Sequence, residues 1–191
     1  MSKKLFEDQA FDGVNFTSRK FESADYEYCT FTNCIFSGLQ LLEVHFLECT
    51  FNECDLSSVK LTSTALKTVE FNRCKMLGIA FDYCNPFLLS VRFSECQLDL
   101  STFVAMVGSA FEFSSCRLND VDFSGADFSK VNFQDCDLGG SIFERTKLLQ
   151  ANFKTAVNYT IDPENNPIKG AKFSINGIQG LLSKYQINIS T

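Results

Sequence analysis

Large apolar residues recur at every fifth position along most of this chain. The stride runs without exception from Phe6 through Phe11, Phe16, Phe21, Tyr26, Phe31, Phe36, Leu41, Phe46, Phe51, Leu56, Leu61, Leu66, Phe71 and Met76 to Phe81. It fails at Pro86, resumes two residues late at Leu88, and continues through Phe93, Leu98, Phe103, Phe113, Leu118, Phe123, Phe128, Phe133, Leu138, Phe143 and Leu148 to Phe153, with Gly108 as its gap. Of the 21 phenylalanines, 18 lie on this grid, ten before Pro86 and eight after it.

A second, smaller residue keeps the same stride two positions earlier. All nine cysteines fall on these pre-centre sites, from Cys29 and Cys34 to Cys116 and Cys136, and others hold Ala24, Val44, Val59, Val69, Val121, Ala126, Val131 and Ala151. The three remaining positions are mostly Asn, Asp, Ser, Thr, Glu, Lys and Gly. A period of five fits neither the 3.6 of a helix nor the 2 of a strand, so the chain must turn within every repeat while pointing one large and one small side chain inward. That is the pattern of one side of a narrow solenoid, with polar residues outside and at the corners.

Triplets such as Ala24-Asp25-Tyr26, Cys54-Asp55-Leu56, Ala126-Asp127-Phe128, Cys136-Asp137-Leu138 and Ala151-Asn152-Phe153 make the sequence resemble the pentapeptide-repeat family, whose repeat is approximately A-(D/N)-(L/F)-x-x, over about residues 6 to 157. The resemblance implies an all-β fold, a right-handed, four-sided (quadrilateral) parallel β-helix with about twenty residues per coil. The sequence agrees with that geometry. Residues one coil apart give a ladder of Phe11, Phe31, Phe51, Phe71, Phe93, Phe113, Phe133 and Phe153 and another of Cys34, Cys54, Cys74, Cys96, Cys116 and Cys136, provided that two extra residues are inserted near positions 82 to 87. About eight coils at the ~4.8 Å spacing of neighbouring strands predict a rod roughly 38 Å long. Gly108 leaves a ring-sized gap between Leu88 and Phe128 in its stack, and the bulk of Met106 and Phe111 at pre-centre sites is expected to fill it.

The chain divides into residues 1–157, the solenoid, and 158–191, a C-terminal cap. In the cap Ile178, Leu181, Leu182 and Tyr185 fall at i, i+3, i+4 and i+7, the spacing of a short amphipathic helix, with Ser174 or Asn176 available to cap its start. Ile187 and Ile189 alternate with polar residues as a brief strand would. The segment GLLSKYQINI is similar to the tail of Qnr-type quinolone-resistance proteins. This second resemblance implies a homodimer through the cap, with Ile178, Leu181, Leu182 and Tyr185 at its interface; the alternative is a helix that only closes its own coil.

Composition bears on function mainly by exclusion. No apolar run approaches the ~20 residues of a membrane span, and charge follows at once on the first residues, so a cytoplasmic location is expected. A net charge of -6 and a pI near 4.8 argue against direct binding of nucleic acid or an anionic membrane. The cysteines make no C-x-x-C knuckle and His45 is the single histidine, so the thiols read as free, buried core residues and His45 as an outward turn residue. No phosphate loop, H-E-x-x-H or nucleophile motif is present, and no catalytic residue, cofactor or metal is expected.

Residues 6 to 153 carry 21 acidic and 11 basic side chains, and the two ends together carry a net charge of +4. The acids gather at Glu22, Asp25, Glu27, Glu43, Glu48, Glu53 and Asp55 and again at Asp120, Asp122, Asp127, Asp135 and Asp137. A rod of duplex width with acidic flanks can offer a DNA-binding protein a substitute for phosphates. The Qnr resemblance implies a non-enzymatic protein that binds a type II topoisomerase, DNA gyrase or topoisomerase IV, and protects it from quinolones. The sequence departs from that pattern by having no sizeable loop, only the short insertion around Tyr83-Cys84-Asn85-Pro86-Phe87. Tyr83, Phe87, Glu27, Glu48 and Glu53 are then the partner-binding candidates. The other reading is a protein-binding scaffold using an outward apolar set, Tyr28, Leu47, Leu89 and Leu149.

Overall fold

A computed structural model describes residues 3–188. The chain winds as a parallel β-helix of about eight coils. Strands Leu5–Glu7, Asp25–Glu27, His45–Leu47 and Ala65–Lys67 pair in parallel on one side, face A. The next side, face B, is a sheet of seven strands from Ala10–Asp12 to Phe133–Gln134, and Asn152–Phe153 pairs with Lys172–Phe173 beyond it. Faces C and D are held by single parallel bridges, such as Asp55 to Lys75 and Thr102 to Asp122. Successive coils step by 20 residues, as in Phe51 opposite Phe71, except once: Val69 lies opposite Val91, a step of 22.

The phenylalanine ladder on face B is the spine of the core. Ring centroids lie 4.8 Å apart from Phe11 to Phe31, 4.7 Å from Phe31 to Phe51 and 4.9 Å from Phe51 to Phe71, with the planes nearly parallel. The pile crosses the insertion at 5.5 Å, Phe71 to Phe93, and continues to Phe153. It gains a ninth ring, because Phe173 stacks 5.3 Å from Phe153. Rings from adjoining faces meet edge-on, as with Phe31 and Phe46 at 6.0 Å and 82°, so each coil is filled by offset stacks braced by T-shaped contacts.

Each corner needs a sharp reversal, and at most corners the residue two after the inward centre supplies it in the left-handed region. Asn33, Glu48, Glu53, Thr68, Arg73 and Lys130 all have φ between 51° and 65°. The pre-centre residues satisfy the backbone at the same corners. Cys54 Sγ donates to Phe31 O at 3.4 Å and Cys74 Sγ to Phe51 O at 3.3 Å, and Ser101, Thr146 and Asn166 do the same for Met76, Phe123 and Phe143. Small residues that can donate are therefore placed there for two reasons, volume and a carbonyl one coil earlier. All nine cysteines are free and buried.

The two extra residues lie between Asn85, which still bridges Ala65, and Ser90, whose N–H reaches Leu66 O at 3.0 Å. This is slightly later in the chain than expected. Leu88 does not resume the inward stride: it is 64% exposed at φ 56°, and Leu89 packs against the core instead. The Gly108 gap is also closed differently. Gly108–Ala110 form one 3-10 turn, and Phe128 and Val131 close on Gly108 so tightly that a Cβ there would lie 2.5 Å from Phe128 Cδ1. Phe111 is buried beside Phe103 and Phe128 as expected, but Met106 only half enters the core.

Candidate interaction surface

The Asp or Asn that precedes several of the inward centres has a local use. Its carboxylate or amide oxygen accepts the N–H two residues on: Asp55 from Ser57 at 3.0 Å, Asp122 from Ser124 at 2.8 Å, Asp137 from Gly139 at 3.2 Å and Asn85 from Phe87 at 2.9 Å. Asp127 accepts from both the hydroxyl and the N–H of Ser129, and these bonds, with Lys147 beyond, hold its carboxyl below the usual carboxylate range. The carboxylates of Asp55, Asp122, Asp127 and Asp137 are thus part of the turn chemistry. The second acidic group is also dispersed: Asp120 and Asp122 lie by face D, Asp127 on face A, and Asp135 and Asp137 by face C.

The glutamates of the first coils make no such turns. Glu7, Glu27 and Glu48 lie on face A or its corner with face B, with no ion pair among the described residues. Asp25 in the same patch is occupied, 2.9 Å from His45 Nδ1 and 3.4 Å from Lys3 Nζ. His45 faces outward from a strand, His45–Leu47, and not from a turn. Glu53 lies apart from them, at the corner of faces B and C, where Arg73 Nη2 pairs with it at 2.7 Å.

The insertion brings aromatic surface to face A. Asn85 turns the chain so that Phe87 and Leu88 stand out at 65% and 64% exposure, with Lys67 Nζ 5.2 Å from the Phe87 ring centroid. Tyr83, 64% exposed, ends the 3-10 turn Phe81–Tyr83 at the corner of faces D and A, just before the insertion. Face A therefore gathers Glu27, Glu48 and Phe87, with Tyr83 at its edge. The apolar set Tyr28, Leu47, Leu89 and Leu149 also belongs to this side but is not a stripe, because Leu89 is turned into the core and Leu47 is half-buried.

At the far end, helix α1, Gln179–Leu182, is followed by the 3-10 turn Ser183–Tyr185. Leu181 and Leu182 are half-buried, whereas Ile178 and Tyr185 are exposed. Neither Ser174 nor Asn176 caps the helix; Ser174 Oγ accepts the Gly177 N–H at 3.1 Å, one turn early. Lys184 ties this segment to the preceding turn through Asp162 at 2.7 Å and Glu164 at 2.6 Å, and Tyr185 OH donates to Glu164. Ile187 is exposed and outside any strand, and Ile189 lies beyond the described residues. A recess of about 550 Å³ under α1 is lined by polar groups including Asn158, Asn176 and Gln179.

Among the described residues no cluster of His, Cys, Asp or Glu converges as metal ligands, and no helix is long and apolar enough to cross a membrane. Burial pushes the Cys49 and Cys84 thiols up to about 12, the reverse of an activated nucleophile.

The sequence profile of the pentapeptide repeat region matches residues 24–86 and 81–153. The chain belongs to the pentapeptide-repeat family. No curated protein sequence matches it. Among solved structures, a trypsin-treated form of QnrB1, a plasmid-mediated fluoroquinolone resistance protein, aligns over 100% of both chains with a TM-score of 0.60 and 17% identity. HetL, a pentapeptide repeat protein involved in heterocyst differentiation regulation from the cyanobacterium Nostoc sp. strain PCC 7120, aligns over 93% of this chain and 89% of its own with a TM-score of 0.42 and 16% identity. The likeness to QnrB1 is one of fold, shared along the whole length.

Proposed function

We propose that this pentapeptide-repeat protein is a non-enzymatic, cytoplasmic interaction protein that engages a type II topoisomerase, DNA gyrase or topoisomerase IV, through the acidic first coils of face A, and modulates its response to quinolones. The observation that carries the reading is the unpaired glutamate patch, Glu7, Glu27 and Glu48, on a straight face whose middle presents Phe87. Carboxylates free of turn duties at coil spacing are available to a surface built to hold phosphates. The solenoid shared end to end with QnrB1, a fluoroquinolone resistance protein, supports the link to quinolones. Tyr83 and Phe87 supply the apolar contact and Glu27 and Glu48 the charge, while Glu53, paired with Arg73 at the corner of faces B and C, stands outside this surface.

Ile178, Leu181, Leu182 and Tyr185 on the cap support a homodimer joined at the C-terminal ends; the exposed side chains of Ile178 and Tyr185 favour this over a cap that serves its own coil alone. The scaffold reading draws on the same exposed insertion without the acids. A supercoiling assay with purified gyrase and a fluoroquinolone, with and without the protein, separates the two. Inhibition of supercoiling or rescue from the drug, weakened by Glu27→Lys with Glu48→Lys, supports the topoisomerase reading. Neither effect at stoichiometric excess overturns it.

A further inference from the structure

Face A has a charge polarity with the insertion at its midpoint. Four inward centres precede the insertion on this face, Phe6, Tyr26, Phe46 and Leu66, and four follow it, Gly108, Phe128, Leu148 and Ile168. The outward charges before it are mainly acidic, Glu7, Asp25, Glu27 and Glu48, and those after it are mainly basic, Lys130, Lys147 and Lys169. Lys130 and Lys169 have no ion pair among the described residues, and Lys147 reaches only Asp127, at 3.5 Å. The most exposed apolar groups of the face, Phe87 and Leu88, sit between the two halves, with Val107, 62% exposed, one coil on.

Rotating a second copy by 180° about an axis that lies in the contact plane, along the strand direction of face A at the insertion, reverses its coil order and keeps each lateral position. Register then sets Glu48 opposite Lys130, two coils from the axis on the same corner. Asp25 falls opposite Lys147, His45 opposite Asp127 and Glu7 opposite Lys169, and no like charges oppose. Phe87 and Leu88 of the two copies meet at the axis. A surface that matches itself in this way meets the requirement of an isologous interface, that the same patch serve both sides.

We propose that face A is a self-complementary surface through which two copies of this chain pair side by side and antiparallel, centred on Phe87 and Leu88. This pairing is separate from contact at the C-terminal caps, and it covers Glu27, Glu48 and Phe87, so the paired form holds the proposed partner surface closed. The purified full-length chain tests it without any topoisomerase, so that its failure and the failure of the functional reading are distinguishable.

Sedimentation velocity across protein concentration should show a self-association that weakens between low and high salt. Glu7→Lys with Glu48→Lys in one variant, and Lys130→Glu with Lys169→Glu in another, should each weaken that association by about tenfold or more, since the Glu48–Lys130 and Glu7–Lys169 pairs become repulsive in both halves of the interface. Mixing the two variants restores opposite charges at every pair and should restore a 1:1 complex. Phe87→Ser should weaken it without altering the thermal melt. A chain that stays monomeric at all concentrations, a dimer indifferent to both charge reversals, or a mixture that fails to pair overturns the proposal.

Discussion

A Cβ placed on Gly108 falls 2.5 Å from Phe128 Cδ1 and 2.8 Å from Phe128 Cα. The second distance is the stricter, because a ring can swing aside while a backbone atom one coil away is fixed by the ladder. Gly108→Ala should therefore cost about 1–3 kcal/mol through overpacking, the reverse of the usual gain when a glycine is replaced. Equilibrium denaturation in urea measures it, and an unchanged or raised midpoint would show that the coils separate there more easily than the packing indicates.

Thr64 shows why buried hydroxyls and thiols recur at pre-centre sites. It is fully buried, and its Oγ1 donates to Leu41 O one coil earlier, as Ser101 and Ser141 do for Met76 and Leu118. Thr64→Val keeps the shape and removes the donor, leaving a buried carbonyl without that partner, a loss of about 1–3 kcal/mol. Thr64→Ser keeps the donor and loses one methyl, so it should be the milder change. Chemical denaturation of the two variants gives the order, and a valine variant as stable as the wild type would assign the site to volume alone.

How far the sequence could be read follows from what a period of five can carry. It marks which residues point inward, and so the stacking of Phe31, Phe51 and Phe71 and the burial of the cysteines were legible from the spacing. It does not say which of two neighbouring leucines is used where the stride is broken, and Leu89 rather than Leu88 enters the core because the turn begun by Asn85 ejects Phe87 and Leu88 first. Phe173 was hidden because the cap reaches it through a coil whose intervening residues, Asn158 and Pro163, leave the pattern. On the surface, net charge conflated two kinds of acid. Asp55, Asp122 and Asp137 serve turns, and Glu27 and Glu48 are free; only the side-chain bonds distinguish them. The polarity of face A needed each charge to be assigned to a face and a coil.

The hold of the cap should depend on pH. Hydrogen bonding to Lys184 keeps Asp162 below the ordinary carboxylate range, and Lys184 with Tyr185 does the same for Glu164. A carboxyl whose folded value is depressed adds stability that is complete above its unfolded value, near ~4, and is lost as pH falls through the depressed one. Hydrogen exchange at Gln179–Tyr185 should therefore gain protection lost in acid when pH is raised from about 2 to 5, beyond the change seen in the ladder strands. Lys184→Met should remove most of that difference. A pH response in the cap identical in variant and wild type would mean that Leu181 and Leu182 alone hold it.

Thr68 occupies a corner at φ 55° with an exposed side chain and a β-branched Cβ, the combination least suited to the left-handed region. Its equivalent two coils earlier is Tyr28 and one coil earlier Glu48, neither branched at Cβ, and Asn33 fills the same kind of corner one side on. The parallel pairing of Ala65–Lys67 before it and Val69–Asn72 after it fixes the reversal, so the residue cannot relax its φ without breaking both. Asparagine enters this region at lower cost and adds less unfolded-state freedom than glycine. Thr68→Asn should thus stabilise the chain by about 0.5–1 kcal/mol, a rise of a few degrees in melting temperature. Asn33→Thr should shift it the other way by a similar amount. If the two variants move the melt in the same direction, the corners are not the strained elements that their dihedral angles describe.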